Sequence, residues 1–192
     1  MIAGVDEVGR GCIAGPVVAA ACILDLKRPF PEGLDDSKKL SAPKRDEIAA
    51  ELKQHALGFA IGQIEAGEID RINILEATKQ AMLAAIGALT PRPDFLLIDA
   101  LRLKQCPLPQ KSIIKGDSIS ASIAAASILA KTYRDKLMTE YDGEFPLYGF
   151  ADHKGYGATS HYEAIREHGP CELHRKSFRG VTTVEPLAAT LF

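Results

Sequence analysis

A nearly unbroken apolar run near the amino terminus, PVVAAACIL (16–24), constrains the fold of this chain more than any other feature. It contains β-branched residues and lacks the spacing of an amphipathic helix, which favours a strand. A strand without a polar face has to be covered on both faces. The chain therefore needs packing layers on both sides of its sheet, and its 192 residues suffice for one such domain.

Other segments predict the elements that surround this strand. MIAGVDEV (1–8) is predicted as a strand that ends at Gly9 and forms an antiparallel hairpin with 16–24. Further strands are predicted at 59–64, 93–100 and 111–118, with helices at 41–55, 73–89, 118–138 and 160–169 and a loop at 142–157. This order predicts an α/β fold: a mixed sheet flanked by helices on both faces.

Three features support the predicted helices. Ser41 and the pair Asn73 and Glu76 resemble helix caps. The longest helix carries small side chains that favour a close approach to the sheet, and it has cations assigned to its C-terminal end: Lys131, Arg134 and Lys136. Its predicted buried stripe consists of Ile119, Ile123, Ala126, Ala130, Tyr133 and Leu137.

Charge and cysteine content limit the classes of function. The net charge of −2 predicts no polyanion partner by itself, but basic residues cluster between Arg102 and Lys136 and again at 38–45. Each cluster is either a solvated face or a phosphate-binding surface. Four widely spaced cysteines without a C-x-x-C pair argue against a disulfide framework and a zinc knuckle. Together with the absence of a membrane-spanning run, this predicts a reducing, cytoplasmic setting. No segment resembles an obligate interface, so the sequence predicts a monomer.

Four acids stand where apolar strands give way to turns: Asp6, Glu7, Asp99 and Asp117. Ligands of open α/β sheets gather at strand ends, and clustered carboxylates attract a divalent cation. Oxygen ligands indicate Mg²⁺ or Mn²⁺, and several carboxylates fit a two-metal site for phosphoryl transfer. Taken singly, each acid is also compatible with a solvated residue or a cap. Asp6 and Glu7 additionally face opposite ways along a regular strand, so sharing a site requires a bend or a curled side chain.

Two glycine-containing motifs are candidate substrate contacts. Gly9, Arg10 and Gly11 form either a tight turn or a backbone that a ligand can approach closely. Tyr156, between two glycines, either stacks on a sugar or base or anchors its loop in the core. The histidines after residue 150 match no zinc-finger spacing, and we expect them at the surface or supporting other site residues.

Eight motifs in the same order as in the family make the chain resemble bacterial ribonuclease HII. They are GVDEVGRG (4–11), DSKKLS (36–41), NILEAT (73–78), LLIDA (96–100), KGDS (115–118), ASILAKTYRD (126–135), HKGYG (153–157) and HRKSF (174–178). The resemblance implies one ribonuclease H-like catalytic domain over 1–192, with about 140–192 forming a C-terminal helical and loop extension.

The resemblance also implies an activity and a set of site residues. The implied reaction is metal-dependent hydrolysis of RNA in RNA–DNA hybrids, including incision 5′ to one ribonucleotide embedded in duplex DNA, as in ribonucleotide repair and replication. Products carry 5′-phosphate and 3′-hydroxyl ends, and two Mg²⁺ or Mn²⁺ ions serve the reaction. The four acids match the metal ligands, Gly9-Arg10-Gly11 matches the triplet that reads the 2′-OH, and Tyr156 matches the tyrosine at the RNA–DNA junction. Lysines expected to contact substrate are Lys38, Lys39 and Lys154.

Two departures and two alternative functions stay open. The family usually has glycine at the position of Ala100 and often proline at that of Cys12. A catalytically silent hybrid-binding protein is one alternative, and a DNA nuclease or strand-transfer enzyme on the same scaffold is the other. The carboxyl-terminal TLF is too short to indicate a sliding-clamp motif, so no replication partner is predicted.

Overall fold

A computed structural model describes residues 1–34 and 40–182 of the chain. Its strands are β1 (Ile2–Val8), β2 (Val17–Ile23), β3 (Gly58–Ile64), β4 (Phe95–Asp99) and β5 (Gln110–Ile113). They form one sheet in the order β3-β2-β1-β4-β5. The β1–β4 and β4–β5 pairs are parallel, whereas β1–β2 and β2–β3 are antiparallel. The mixed sheet and the opening hairpin are confirmed.

Helices cover both faces of this sheet. They are α1 (Ala42–His55), α2 (Ala66–Ile72), α3 (Ile74–Ala88), α4 (Ala121–Glu144), α5 (Phe150–His153) and α6 (Thr159–His168), with a 3₁₀ turn at Gly116–Ser118. One face packs against α3, and the other packs against α1 and α4. Within the described ranges, no helix has both the length and the apolar character needed to cross a lipid bilayer.

Strand β2 is covered by packed side chains on both of its faces. All seven of its residues are buried. Val17, Ala19 and Ala21 belong to the core cluster on the α3 side, while alternate residues such as Val18 and Ala20 belong to the cluster with α1 and α4. The absence of a polar face in this run is thus explained by burial on both sides.

Helix α4 lies directly against β1 at Gly4. A Cβ at that glycine would lie 2.0 Å from the carbonyl carbon and oxygen of Ser122. Ala124 and Ala126 are buried where the helix follows the sheet. The small side chains noted in the sequence therefore permit backbone-to-backbone packing, which larger side chains would prevent.

The predicted buried stripe of the long helix is only partly right. Ile123, Ala126 and Ala130 are fully buried, but Ile119 and Tyr133 are exposed by 68% and 37%. The helix starts at Ala121, so Ile119 lies outside it, and the Tyr133 hydroxyl donates to Gln63 on the solvent side.

The cations of α4 do not lie at its C-terminal end. The helix continues to Glu144, about two turns beyond the predicted end, so Lys131 and Arg134 lie in its middle. Arg134 is fully buried, and its guanidinium binds backbone carbonyls of other segments. Interaction with the helix dipole is therefore the wrong explanation for this residue.

The predicted caps are present, with one difference. The Ser41 hydroxyl accepts from the backbone N–H of Lys44. The Asn73 side chain accepts from the N–H groups of Leu75 and Glu76, but its own N–H donates to Ile69 and ends α2. Because that N–H is already used, the reciprocal half of a capping box does not form. Helix α2 was not predicted, since seven residues are too few for a clear periodic pattern.

Two predicted boundaries are wrong. The strand predicted at 111–118 ends at Ile113, and the left-handed backbone of Lys115 (φ 55°) turns the chain into the 3₁₀ turn. Asp117 therefore lies in that turn and not at a strand end. The loop predicted at 142–157 contains the last turn of α4 and the short helix α5.

The contact at Gly4 provides a stability test. Gly4→Ala is expected to lower the free energy of unfolding by about 1–3 kcal/mol or more, since the methyl group has no space against the α4 backbone. Gly87→Ala in α3 is the matched control, because no atom lies within 4 Å of a Cβ there and alanine favours a helix by up to ~1 kcal/mol. Urea denaturation measures both. Equal stability of the two variants would contradict this account of the α4–β1 contact.

Candidate metal centre

Two parallel strands bring the candidate acids Asp6 and Asp99 to the same edge of the sheet. The β1–β4 register pairs Val5 with Ile98, and Asp6 and Asp99 are the next residues of the two strands. The carboxyl ends of parallel strands face the same way, so adjacent strand ends form one site. The sheet topology therefore places these two carboxylates side by side.

Asp6, Glu7 and Asp99 form a cluster in which one carboxylate oxygen of each lies within 4.8 Å of the others. Glu7 joins it although it points to the other face of the strand from Asp6. The pairing of β1 with β2 continues one to one from Gly4 to Val8, so no bulge turns the strand. Of the two expected ways for Glu7 to share the site, a curled side chain therefore fits better than a bulge.

Asp6 is the most buried member of the cluster. Its carboxylate accepts the backbone N–H of Glu7 at 2.7 Å and a hydrogen bond from the Ser127 side chain on α4. Burial raises the pKa of Asp6 well above its usual range, and the charges of Glu7 and Asp99 raise it further. The two hydrogen bonds oppose this shift and do not cancel it.

Glu7 has one carboxylate oxygen without a protein partner. Its Oε1 lies 3.4 Å from Nη1 of Arg10. Its Oε2 is buried and finds no hydrogen-bond partner among the described residues. Burial raises the pKa of Glu7, Arg10 acts in the opposite direction, and Asp99 adds to the increase. A buried, unpartnered carboxylate oxygen beside two other acids is unfavourable unless a cation is bound.

These observations match a hard divalent cation. All the donors are carboxylate oxygens, which Mg²⁺ and Mn²⁺ prefer, and the cluster contains no sulfur or imidazole ligand. A bound ion would offset the burial of negative charge and the repulsion that together raise the pKa values of Asp6 and Glu7, and it would use the Oε2 of Glu7. The residues therefore fit the expected cofactor.

Asp117 lies near this cluster but is not one of its three members. It is buried in the 3₁₀ turn, and the neighbouring Gly116 donates its N–H to Oδ1 of Asp99 at 2.7 Å. This hydrogen bond from the turn thus orients the Asp99 carboxylate. A role for Asp117 as a fourth metal ligand stays a prediction.

The residue after Asp99 has an unusual backbone. Ala100 has φ 51°, in the left-handed region where a Cβ is unfavourable. Its N–H donates to Ile113 of β5 at 3.0 Å, which holds this conformation. The glycine usual in the family at this position is explained by the same backbone geometry.

The Gly9-Arg10-Gly11 triplet lies beside the acids and uses its two glycines differently. Gly9 has φ 89°, and a Cβ there would lie 2.3 Å from Nε of Arg134, so this position is a tight turn that requires glycine. Gly11 has no such φ, and no atom lies within 4 Å of its would-be Cβ. Contacts within the folded chain therefore do not require a glycine at Gly11. The space beside this part of the backbone is open.

Tyr156 lies against the same turn. Its ring is 42% exposed, its hydroxyl interacts with Cys12, and Nζ of Lys131 lies 5.8 Å from its centroid. The backbone N–H of Ile13 donates to the carbonyl of Gly155 at 2.9 Å and joins the two loops. A half-exposed ring held in this way can stack on a nucleotide.

The lysines fall into two groups. Lys154 directs its ammonium to the Thr139 hydroxyl on α4, at 2.7 Å, while its carbonyl accepts from Arg134. Lys38 and Lys39 lie outside the described residues. A contact between any of the three and substrate stays a prediction.

Several buried polar residues support the site: Ser127, Arg134, His161, His174 and Arg175. His161 and His174 are fully buried behind Tyr156, so of the two expected placements for the histidines, support of other residues fits these two and surface exposure does not. Four of the five stand inside motifs shared with the family, ASILAKTYRD and HRKSF, which was the available signal for Ser127, Arg134, His174 and Arg175.

Comparisons with known proteins show the family and the fold of this chain. A family model described as Ribonuclease HII matches residues 3–181. The ribonuclease HII of Geobacter metallireducens is 58% identical over 180 residues, which cover 94% of this chain and 84% of that protein. The RNase HII of Archaeoglobus fulgidus, solved in a complex with PCNA, has a TM-score of 0.81 at 26% identity and covers 96% of this chain and 97% of its own. Bst-RNase HIII, solved in complex with Mn²⁺, has a TM-score of 0.69 at 21% identity, with 94% and 67% covered.

The backbone of Ala100 leads to a prediction. Ala100→Gly is expected to stabilise the protein by up to about 1 kcal/mol, because relief of the left-handed strain exceeds the greater freedom of glycine in the unfolded chain. Ala84→Gly inside α3 is the control, since its helical backbone has no strain to relieve, and it is expected to destabilise by up to ~1 kcal/mol. Thermal unfolding compares the two. A loss of stability in both would contradict strain at Ala100.

The buried carboxylate of Asp6 leads to a second prediction about stability. Without divalent ions at pH 7, Asp6→Asn is expected to melt higher than the parent protein by roughly 2–4 °C, the shift that ~1 kcal/mol gives at this size. The raised pKa means that the charged form is disfavoured by folding, and the amide removes that charge. Added Mg²⁺ should then raise the melting temperature of the parent more than that of the variant. A variant that melts lower without metal would contradict an unfavourable charge at Asp6.

Proposed function

Because this chain belongs to the ribonuclease HII family, which cleaves the RNA strand of RNA–DNA hybrids, we propose that it also incises duplex DNA 5′ to a single embedded ribonucleotide. The proposed products carry 5′-phosphate and 3′-hydroxyl ends. Two Mg²⁺ or Mn²⁺ ions at the Asp6, Glu7 and Asp99 cluster, with Asp117 as a further ligand, are part of the proposal.

One contact carries the proposal. Nη1 of Arg10 lies 3.4 Å from Oε1 of Glu7, so the glycine-flanked turn borders the carboxylate cluster. A sugar bound at this turn would have its neighbouring phosphate close to the acids. Recognition of a ribose and cleavage next to it then occur in one place, as single-ribonucleotide incision requires.

The turn has the properties needed to read a 2′-hydroxyl. Open space at Gly11 allows a sugar to approach the backbone, whose N–H and C=O groups can bond the hydroxyl. The 2′-OH is both a donor and an acceptor, and it is the group that distinguishes RNA from DNA. Tyr156, joined to this turn through Gly155 and Ile13, is in position to stack on the adjoining nucleotide.

The protein's own groups orient the reaction. When bound, the divalent ions lower the pKa of an attacking water and stabilise the leaving oxygen. Ser127 and the N–H of Glu7 hold the Asp6 carboxylate, and the N–H of Gly116 holds that of Asp99. These hydrogen bonds keep the ligand oxygens in place before substrate arrives, which reduces reorganisation during the reaction.

The alternative functions predict different behaviour on the same substrates. A silent hybrid-binding protein would bind without turnover, and the unpartnered oxygen of Glu7 beside two further acids speaks against it. A DNA nuclease would be indifferent to the 2′-OH. A cytoplasmic location and the monomeric state stay predictions.

An end-labelled duplex with one ribonucleotide tests the proposal, with the all-DNA duplex and a hybrid of several consecutive ribonucleotides as comparisons at fixed ionic strength. With Mg²⁺ or Mn²⁺, we expect one incision on the 5′ side of the ribonucleotide and no cut in all-DNA. Asp6→Asn should abolish turnover on both ribonucleotide-containing substrates while it retains binding in a gel-shift assay. Cleavage of all-DNA, or no cleavage of the embedded ribonucleotide, would refute the proposal.

A further inference from the structure

The segment Leu173–Arg175, beyond α6, pairs with the turn that follows the glycine triplet. His174 forms an antiparallel bridge with Ala14. The N–H of Arg175 donates to the carbonyl of Ile13, and the N–H of Gly15 donates to the carbonyl of Leu173, each at 2.8 Å. A short segment that is 160 residues away in sequence thus holds the far side of this turn.

The Arg175 side chain binds the triplet itself. It is fully buried, its Nη1 donates to the carbonyl of Arg10 at 3.1 Å, and its Nε donates to that of Gly15 at 3.0 Å. The Phe178 ring packs against the guanidinium at 5.1 Å. Both hydrogen bonds go to backbone carbonyls of the turn, so this buried cation fixes the path of the backbone that would meet the ribose.

The neighbouring His174 is linked to the Tyr156 loop through a chain of hydrogen bonds. The N–H of Cys171 donates to its Nδ1 at 2.9 Å, so its Nε2 carries the proton and donates to Nε2 of His161 at 3.1 Å. Nδ1 of His161 then donates to the carbonyl of Tyr156 at 2.8 Å. Each ring has one donor and one acceptor in this chain, which is the pattern of two neutral imidazoles.

Both imidazoles are in an environment that keeps them neutral. Burial lowers the pKa of His161 and of His174 to about 4. The ring of His153 stacks on that of His161, with 4.1 Å between the ring centroids. A charge on His153 would disfavour a second charge on His161. Protonation of either ring in the chain would place two N–H groups against each other, so the link depends on the neutral forms at neutral pH.

We propose that His174 and Arg175 are positioning residues that hold the Gly9–Gly11 turn and the Tyr156 loop in one fixed relation. This inference rests on the proposed function of those two loops. Arg175 fixes the turn, and His174 fixes the loop through His161. Because the two residues are adjacent in one segment, a shift of that segment moves both reading elements together.

The consequence for activity is specific. None of the hydrogen bonds made by Arg175, His174 or His161 goes to a member of the acidic cluster. Their loss should therefore weaken recognition of the ribonucleotide more than the chemical step.

Paired variants test the proposal on the duplex with one ribonucleotide. His161→Leu removes the donor to the Tyr156 carbonyl, whereas His161→Asn places an amide N–H near the position of Nδ1. Arg175→Met removes both donors to the turn, and Arg175→Lys retains one. We expect His161→Leu and Arg175→Met to raise KM roughly ten- to a hundredfold with kcat within about threefold, and the conservative variants to recover most of the loss.

Hydrogen exchange of the free protein provides a readout that does not depend on cleavage. Faster exchange at the amides of residues 10–14 and 156–158 is expected in His161→Leu or Arg175→Met, with the amides of β1 unchanged. If Arg175→Met fails to fold, the His161 pair decides. A fall in kcat at constant KM, equal behaviour of His161→Leu and His161→Asn, or unchanged exchange would overturn the proposal. If the parent protein does not cut the single-ribonucleotide duplex, the proposed function fails, and exchange still tests the coupling.

Discussion

The close contact between α4 and β1 is the constraint on which the rest of the site depends. At Gly4 the two backbones meet without an intervening side chain. This contact sets the height of α4 above the sheet edge and brings three of its residues to the site: Ser127 at Asp6, Lys131 near the Tyr156 ring, and Arg134 beneath the glycine turn. Their spacing of four and three residues places them on one side of the helix.

The buried cations and the buried carboxylates of this protein differ in their surroundings. Arg134 and Arg175 are fully buried and donate to backbone carbonyls of the loops around the site. The carboxylates of Asp6, Glu7 and Asp99 lie close together at the sheet edge, and burial and their mutual repulsion raise the pKa values of Asp6 and Glu7. The cations therefore order the backbone, whereas the carboxylate cluster is consistent with a bound cation.

The part of the chain after α4 folds back onto the first hairpin. Tyr156 comes from the loop between α5 and α6, and the segment that holds it follows α6. Hydrogen bonds from this region reach the turn after β1 at Arg10, Ile13 and Gly15. The proposed substrate contact at Tyr156 is thus held beside the acids of β1 and β4 by segments that are distant from them in sequence.

The sequence by itself determined the features that depend on local pattern. An apolar run with no polar face predicts burial on both sides, capping residues mark helix starts, and acids after apolar strands predict a metal site. Only the tertiary structure decided which acids share an oxygen cluster, that Asp117 lies in a 3₁₀ turn, and that Arg134, His161 and Arg175 are buried. The physical reason is that a strand or cap is specified by neighbouring residues. The burial and partners of a charged side chain depend instead on segments up to 165 residues away, which no local pattern records.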